Sequence, residues 1–116
     1  SKTKVQFRKK NKLDLGTLTV TNSKIDNSID RYSYAVSNYD FENGIYARKW
    51  RYGDKVSLDS GSKNVSDLFI DFKIPLFKKN IYPVFENSNM EIIWIPGIYT
   101  KKQSDTLKGI AISWKE

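Results

Sequence analysis

Gly61-Ser62-Lys63-Asn64-Val65-Ser66-Asp67-Leu68-Phe69-Ile70-Asp71-Phe72-Lys73-Ile74-Pro75 marks a change of apolar period in this chain of 116 residues. Val65, Leu68, Phe69 and Phe72 fall at i, i+3, i+4 and i+7, one face of a helix. Lys63, Asn64, Asp67 and Asp71 lie off that face. The spacing predicts a helix over residues 62–73, with Ser62 as its N-cap behind the flexible Gly61. Pro75 stops it by pushing Ile74 to extended geometry.

Outward from that helix the period is two. Val5 and Phe7 alternate with Gln6 and Arg8, Leu18 and Val20 with threonines, and Tyr32, Tyr34 and Val36 with small residues. Such alternation predicts strands with one buried and one wet face. Turn residues separate them at 11–14, 22–30 and 38–44. Ile45 to Trp50 reads as a further strand that runs into the Gly53-Asp54 turn. Beyond the helix, 82–86 and 91–95 flank Asn87-Ser88-Asn89 as a hairpin. Ile92-Ile93-Trp94-Ile95 does not alternate, so it is expected to be buried on both faces. A last strand is expected over 108–114, with Ile110, Ile112 and Trp114 on one face. Strands, one main helix and more strands make an α+β, β-rich, sheet-on-sheet fold in a single domain over 1–116.

The composition excludes much chemistry. No Cys and no His occur, so disulfides, thiolate sites and every Ser-His or Cys-His nucleophilic arrangement are ruled out. Twenty Lys and Arg against 13 Asp and Glu give a net charge of +7. Such an excess suits an anionic partner such as nucleic acid, or simply solubility. No apolar run approaches membrane-spanning length, so no membrane role is expected, and a cysteine-free chain fits the cytoplasm.

Residues 48–97 carry a resemblance. Arg48-Lys49-Trp50-Arg51-Tyr52-Gly53-Asp54-Lys55, Gly61-Ser62-Lys63, Val65-Ser66-Asp67-Leu68-Phe69, Lys73-Ile74-Pro75 with Pro83, and Ile93-Trp94-Ile95-Pro96-Gly97 stand in that order. Together they resemble the C-terminal domain of bacterial tRNA-isoleucine lysidine synthetases. Three positions depart from the family pattern. Tyr52 replaces a common Pro before Gly-Asp. Lys78-Lys79-Asn80 replaces an Arg-bearing loop, and Ile98-Tyr99 follows Pro-Gly where Arg is frequent. The last two swaps remove guanidinium forks, whose bidentate phosphate contacts Lys does not reproduce. The resemblance implies a β-rich α+β domain of a kind shared with a phenylalanyl-tRNA synthetase subunit. It implies that the full-length enzyme is an ATP-dependent ligase converting the wobble cytidine of an isoleucine tRNA to lysidine, with ATP and Mg as cofactors there and none in this domain. It implies isoleucine tRNA, around the acceptor stem, and the N-terminal catalytic domain as partners. No catalytic or metal-binding residue is assigned to this chain.

The candidate RNA-binding residues are Arg48, Lys49, Arg51 and Lys55 in the basic turn, Gly61, Ser62 and Lys63 at the helix start, Lys73 at its end, and the pairs Lys78-Lys79 and Lys101-Lys102. In the turn, cations would meet phosphates, with Trp50 or Tyr52 placed to stack. The duller reading is an edge strand guarded by charge. Gly61, Ser62 and Lys63 would hold one phosphate on helix N–H groups, against plain capping by Ser62. The lysine pairs are solvated loops unless they join the turn on one face. Trp94 and Trp114 read as core, Asp67 and Asp71 as surface ion-pair partners, and Asp54 as a turn residue bonding local N–H groups. The rival to RNA binding is a protein-interaction module, packed on the catalytic domain or forming a homodimer through Tyr46, Tyr52 and Tyr99.

Overall fold

The alternating segments pair into two antiparallel sheets. A computed structural model describes residues 2–7, 10–21, 31–103 and 106–116, with the side chains of 106–108 left aside. Five strands make the first sheet: β1 (Thr3–Lys4), β5 (Ile45–Lys49), β8 (Pro83–Asn87), β9 (Ile92–Ile95) and β10 (Tyr99–Thr100), hydrogen-bonded in that order. Four make the second: β2 (Asn11–Lys12), β3 (Thr17–Thr21), β11 (Thr106–Lys115) and β4 (Ser33–Ser37). A separate hairpin joins β6 (Lys55–Leu58) to β7 (Gly61–Asn64). The turn expected at 22–30 lies outside the described residues.

The sheets pack face to face, as the sequence implies. Tyr34 from the second sheet meets Trp94 from the first with ring centroids 5.8 Å apart, and Trp114 meets Tyr82 at 5.4 Å. Leu18, Val36 and Ile112 bury against Ile45, Val84, Phe85 and Ile95 in one continuous cluster. Ile92–Ile95 is buried at every position, in keeping with its lack of alternation. Trp94 and Trp114 are both core. Tyr34 and Tyr82 are also buried, and desolvation pushes both phenols well above their ordinary range. They stay neutral, with Tyr34 donating to Asp40 and Tyr82 to the Pro96 carbonyl.

The helix is shorter than its period suggests. Residues 61–64 are drawn into the hairpin, with Lys63 opposite Val56 and Ser62 opposite Ser57. α2 therefore begins at Val65 and runs to Asp71, capped by Asn64 without a side-chain bond. Ser62 is a strand residue and caps nothing. Seven residues cannot hold a helix alone in water. Burial of Val65, Leu68 and Phe69 stabilises it, at about 1.5–3 kcal/mol per large side chain. Phe72, expected on the same face, lies past the last turn and is partly exposed.

Two further short helices correct the expectation of a single one. α1 (Asn38–Asn43) occupies a stretch whose Asn, Asp and Gly content predicts only a turn. Ser37 supplies the difference, its hydroxyl accepting from Asp40 N–H at 3.0 Å. α3 (Leu76–Lys79) starts directly behind Pro75. Proline breaks the preceding helix, yet it is well suited to the start of the next.

The strand expected at Val5–Phe7 ends earlier. Val5 N–H still reaches the Ile45 carbonyl at 2.8 Å, but Phe7 turns aside to meet Phe41. Gly16 sits in the β2–β3 connection with φ 82°, where a side chain is strained. A Cβ there would lie 2.5 Å from the Lys115 carbonyl oxygen and 2.7 Å from Trp114 Nε1. Gly16→Ala is therefore expected to cost about 2–3 kcal/mol. Urea unfolding reads this, and a midpoint equal to that of the unaltered protein would contradict it.

Candidate nucleic-acid interface

The Arg51–Asp54 turn is held from inside. Asp54 N–H donates to the Arg51 carbonyl at 3.0 Å, and Arg51 N–H donates to Asp54 Oδ2 at 2.6 Å. Asp54 is thus the turn residue expected from the sequence, and it is also an ion-pair partner. Arg48 grips its carboxylate with Nη1 at 2.9 Å and Nη2 at 3.0 Å, and sends Nε to Glu86 Oε2 at 2.9 Å. Lys2 Nζ takes the other Glu86 oxygen at 2.9 Å. Burial alone would raise both carboxyl pKa values. For Asp54, Arg48 and the Arg51 N–H outweigh it; for Glu86, Lys2 and Arg48 do. Both acids are therefore held below the usual carboxylate range. Burial would likewise lower the pKa of Arg48, but the two carboxylates overcome it and raise it.

Arg48 is consequently not a surface cation. It is 9% exposed and spends its guanidinium on β8 and the turn. Its strand position explains this. Arg48 lies opposite Val84 on an inner strand of the five-stranded sheet and is buried, where only a paired charge is tolerated.

Lys49 and Arg51 do reach a shared surface. A cleft of 460 Å³ opens beside them, lined also by Lys12, Asp14 and Trp50. A smaller neighbour of 230 Å³ shares Lys12 and adds Lys4 and Lys10. Both lie where β1, the edge of the first sheet, comes near β2, the edge of the second. Lys49 pairs with Asp14 at 3.1 Å, with both side chains largely in water. Lys4, Lys10, Lys12 and Arg51 make no ion pair among the described residues. Lys79 reaches the rim from α3, with Nζ 4.7 Å from the Trp50 ring centroid.

The remaining candidates do not join this surface. Lys63 pairs with Asp71, Lys78 with Glu116 at 2.9 Å and Lys101 with Glu91 at 2.7 Å. Lys101 and Lys102 line a different cavity, with Asp40 and Glu91. Lys55 and Lys73 are exposed on the hairpin and after α2. Gly61, Ser62 and Lys63 form a strand, so the phosphate seat expected at a helix start does not exist. Tyr99 is not an exposed aromatic. It is buried with its hydroxyl donating to the Ser57 carbonyl, and Tyr46 is half-buried beneath Lys2. Only Tyr52 of the three stands in solvent.

The cleft's other cations come from the first 12 residues, outside the motif-bearing stretch 48–97. Their signal is the density of charge in Arg8-Lys9-Lys10-Asn11-Lys12. Among the described residues no group of three or more acidic side chains is placed to hold a metal ion.

Two face-packed antiparallel sheets with short helices at their margins define a small α+β domain of an already solved kind. The fold is that of a TilS C-terminal domain. Its crystal structure superposes with a TM-score of 0.80, over 99% of this chain and 95% of that one, at 19% identity. Sequence similarity leads to the same family. The tRNA(Ile)-lysidine synthase of Bacillus licheniformis is 40% identical over 67 residues, which is 56% of this chain and 14% of that protein. The synthase of Clostridioides difficile is 45% identical over 69 residues, 53% of this chain and 15% of that protein. That of Shouchella clausii is 37% identical over 75 residues, 63% of this chain and 16% of that protein. The chain thus spans about a sixth or less of the length of these relatives. No family model matches it. The resemblance read from residues 48–97 is borne out in fold and in sequence.

Proposed function

We propose that this chain is a tRNA-binding accessory domain within a larger, cytoplasmic tRNA(Ile)-lysidine synthase, an ATP-dependent ligase whose chemistry takes place elsewhere. The observation that carries the reading is the meeting of Lys4, Lys10, Lys12 and Arg51 along two clefts at adjoining sheet edges, where the acidic lining residue among the described residues, Asp14, is paired with Lys49. A-form RNA presents phosphates and 2′-hydroxyls rather than base edges, so lysine is an adequate ligand for a helical stem. The partner is isoleucine tRNA, engaged through a stem such as the acceptor, while ATP and Mg belong to the catalytic domain.

Four phosphate contacts release about 0.9 counterion each on duplex. Binding of this chain to isoleucine tRNA should therefore weaken by about 100-fold between 50 and 200 mM salt. A gel-shift at the two salt concentrations measures it. Affinity that ignores salt, or no affinity at all, would remove the polyanion reading.

A second reading has its own observation. Ile70 (68% exposed), Leu76 (73%) and Phe77 (74%) stand in solvent within eight residues of chain, with Phe72 partly exposed between them. Such a patch suits a protein interface, with the catalytic domain or a second copy, better than the tyrosines singled out from the sequence. Both roles can coexist, since the patch and the basic clefts share no lining residue.

A further inference from the structure

We propose that Tyr52 is a stacking platform for an unpaired base of RNA docked in the basic cleft. This rests on the RNA-binding reading above and extends it from phosphates to a nucleobase.

Tyr52 is 94% exposed, the most solvent-exposed of the large apolar side chains among the described residues. It stands at the apex of the Arg51–Asp54 turn, and Gly53 follows it at φ 95°. A positive φ at the second central residue fits a type II turn, in which proline is the favoured residue at the first. Local backbone energetics therefore give no reason for tyrosine at that position. Packing gives none either, because the ring is covered by nothing.

The apex is nevertheless rigid. Asp54 ties the turn at both ends, and Arg48 fixes the Asp54 carboxylate with two N–H groups. The Asp54 carbonyl also accepts from Val65 N–H at 2.9 Å, which anchors the turn to the start of α2. An aromatic ring on a fixed support loses little freedom when it meets a flat partner. Arg51, its neighbour in the chain, lines the cleft where phosphates would lie. An aromatic face beside a cationic track is the chemistry that holds single-stranded nucleic acid. Pairs inside a helix have both faces covered by their neighbours, so the favoured ligand offers a base outside the stem. A protein partner is less well served, since the contiguous apolar residues lie at 70–77 and not around Tyr52.

The test uses the whole chain and two RNA probes, one stem with a four-nucleotide single-stranded extension and the same stem with a blunt end. Tyr52→Ala should weaken binding to the extended stem about 10-fold, leave its salt slope unchanged, and alter binding to the blunt stem less than 2-fold. Tyr52→Phe keeps the ring and should restore affinity. Arg51→Ala should lower the salt slope on both probes. Thermal unfolding of Tyr52→Ala should match the unaltered protein, because the ring is exposed. If Tyr52→Ala binds the extended stem normally, or weakens both probes equally, the platform is refuted while the cleft stands. If the unaltered protein binds neither probe, the RNA reading beneath it fails instead.

Discussion

Replacing Lys10, Lys12 and Arg51 together by alanine is expected to lower affinity for isoleucine tRNA by about 100-fold or more at 50 mM salt, and to flatten the salt dependence by about 2.7 logarithmic units per decade. The second figure is the more telling, because it counts phosphate contacts and is blind to other losses. Each of the three side chains lines at least one of the adjoining clefts and lacks a carboxylate partner among the described residues. Lys55→Ala, Lys73→Ala and Lys102→Ala combined remove the same net charge from elsewhere on the surface. That variant should lose far less affinity, since none of its three side chains lines either cleft. Equal losses in the two variants would mean that net charge alone matters, and the cleft would lose its special standing. Filter binding across a salt series separates the two outcomes.

The second large effect concerns stability. Arg48→Ala should destabilise the fold by about 3–5 kcal/mol, because it strands a buried carboxylate. Glu86 keeps Lys2 but loses one of its two partners, and Asp54 loses both guanidinium bonds. The sign of the pH dependence follows from the depressed carboxyls. Glu86 and Asp54 titrate below their unfolded values, so the stability they contribute is present above roughly pH 4 and is lost as pH falls through the folded values. In Arg48→Ala, Lys2 alone opposes the effect of burial, so the Glu86 carboxyl moves up. Protonation then relieves the buried charge, so the gap between the two proteins should narrow on acidification. Denaturant midpoints at pH 7 and pH 4 test this, and a constant gap would show that Arg48 acts only by packing. Arg48 thus supports the turn that carries Arg51, and the effect of its loss on any binding assay must be read beside a folding measurement.

How much of this is legible in the sequence depends on the range of the interactions. Two-residue alternation in Leu18–Val20 and Tyr34–Val36, and its absence in Ile92–Ile95, report burial one residue at a time, and those strands stand as expected. The helix period over 65–72 is equally local, yet its start is not. Ser62 and Lys63 suit a helix cap on their own, and only Val56 and Ser57 across the hairpin hold them as strand. Arg48 is misread for the same reason. Next to Lys49 and Arg51 it looks like part of a cationic run, and nothing nearby in sequence announces Glu86, 38 residues on. The basic cleft was half visible, in Lys49 and Arg51. Its other half comes from Lys4, Lys10 and Lys12, which reach it only through the pairing of β1 with β5 and β2 with β3.

That pairing ties solubility to recognition. β1 and β2 are two residues long, and each covers an outer ladder that would otherwise present open N–H and C=O groups of Ile45–Lys49 or Thr17–Thr21. Uncovered ladders recruit strands from other molecules, and short lysine-bearing edges discourage it. Lys4 and Lys12, proposed to hold a polyanion, stand on these edges and would also discourage such pairing. Trimming this segment should remove the cover of the ladders and the proposed phosphate ligands together, so a loss of binding after such a deletion must be read beside a measurement of solubility.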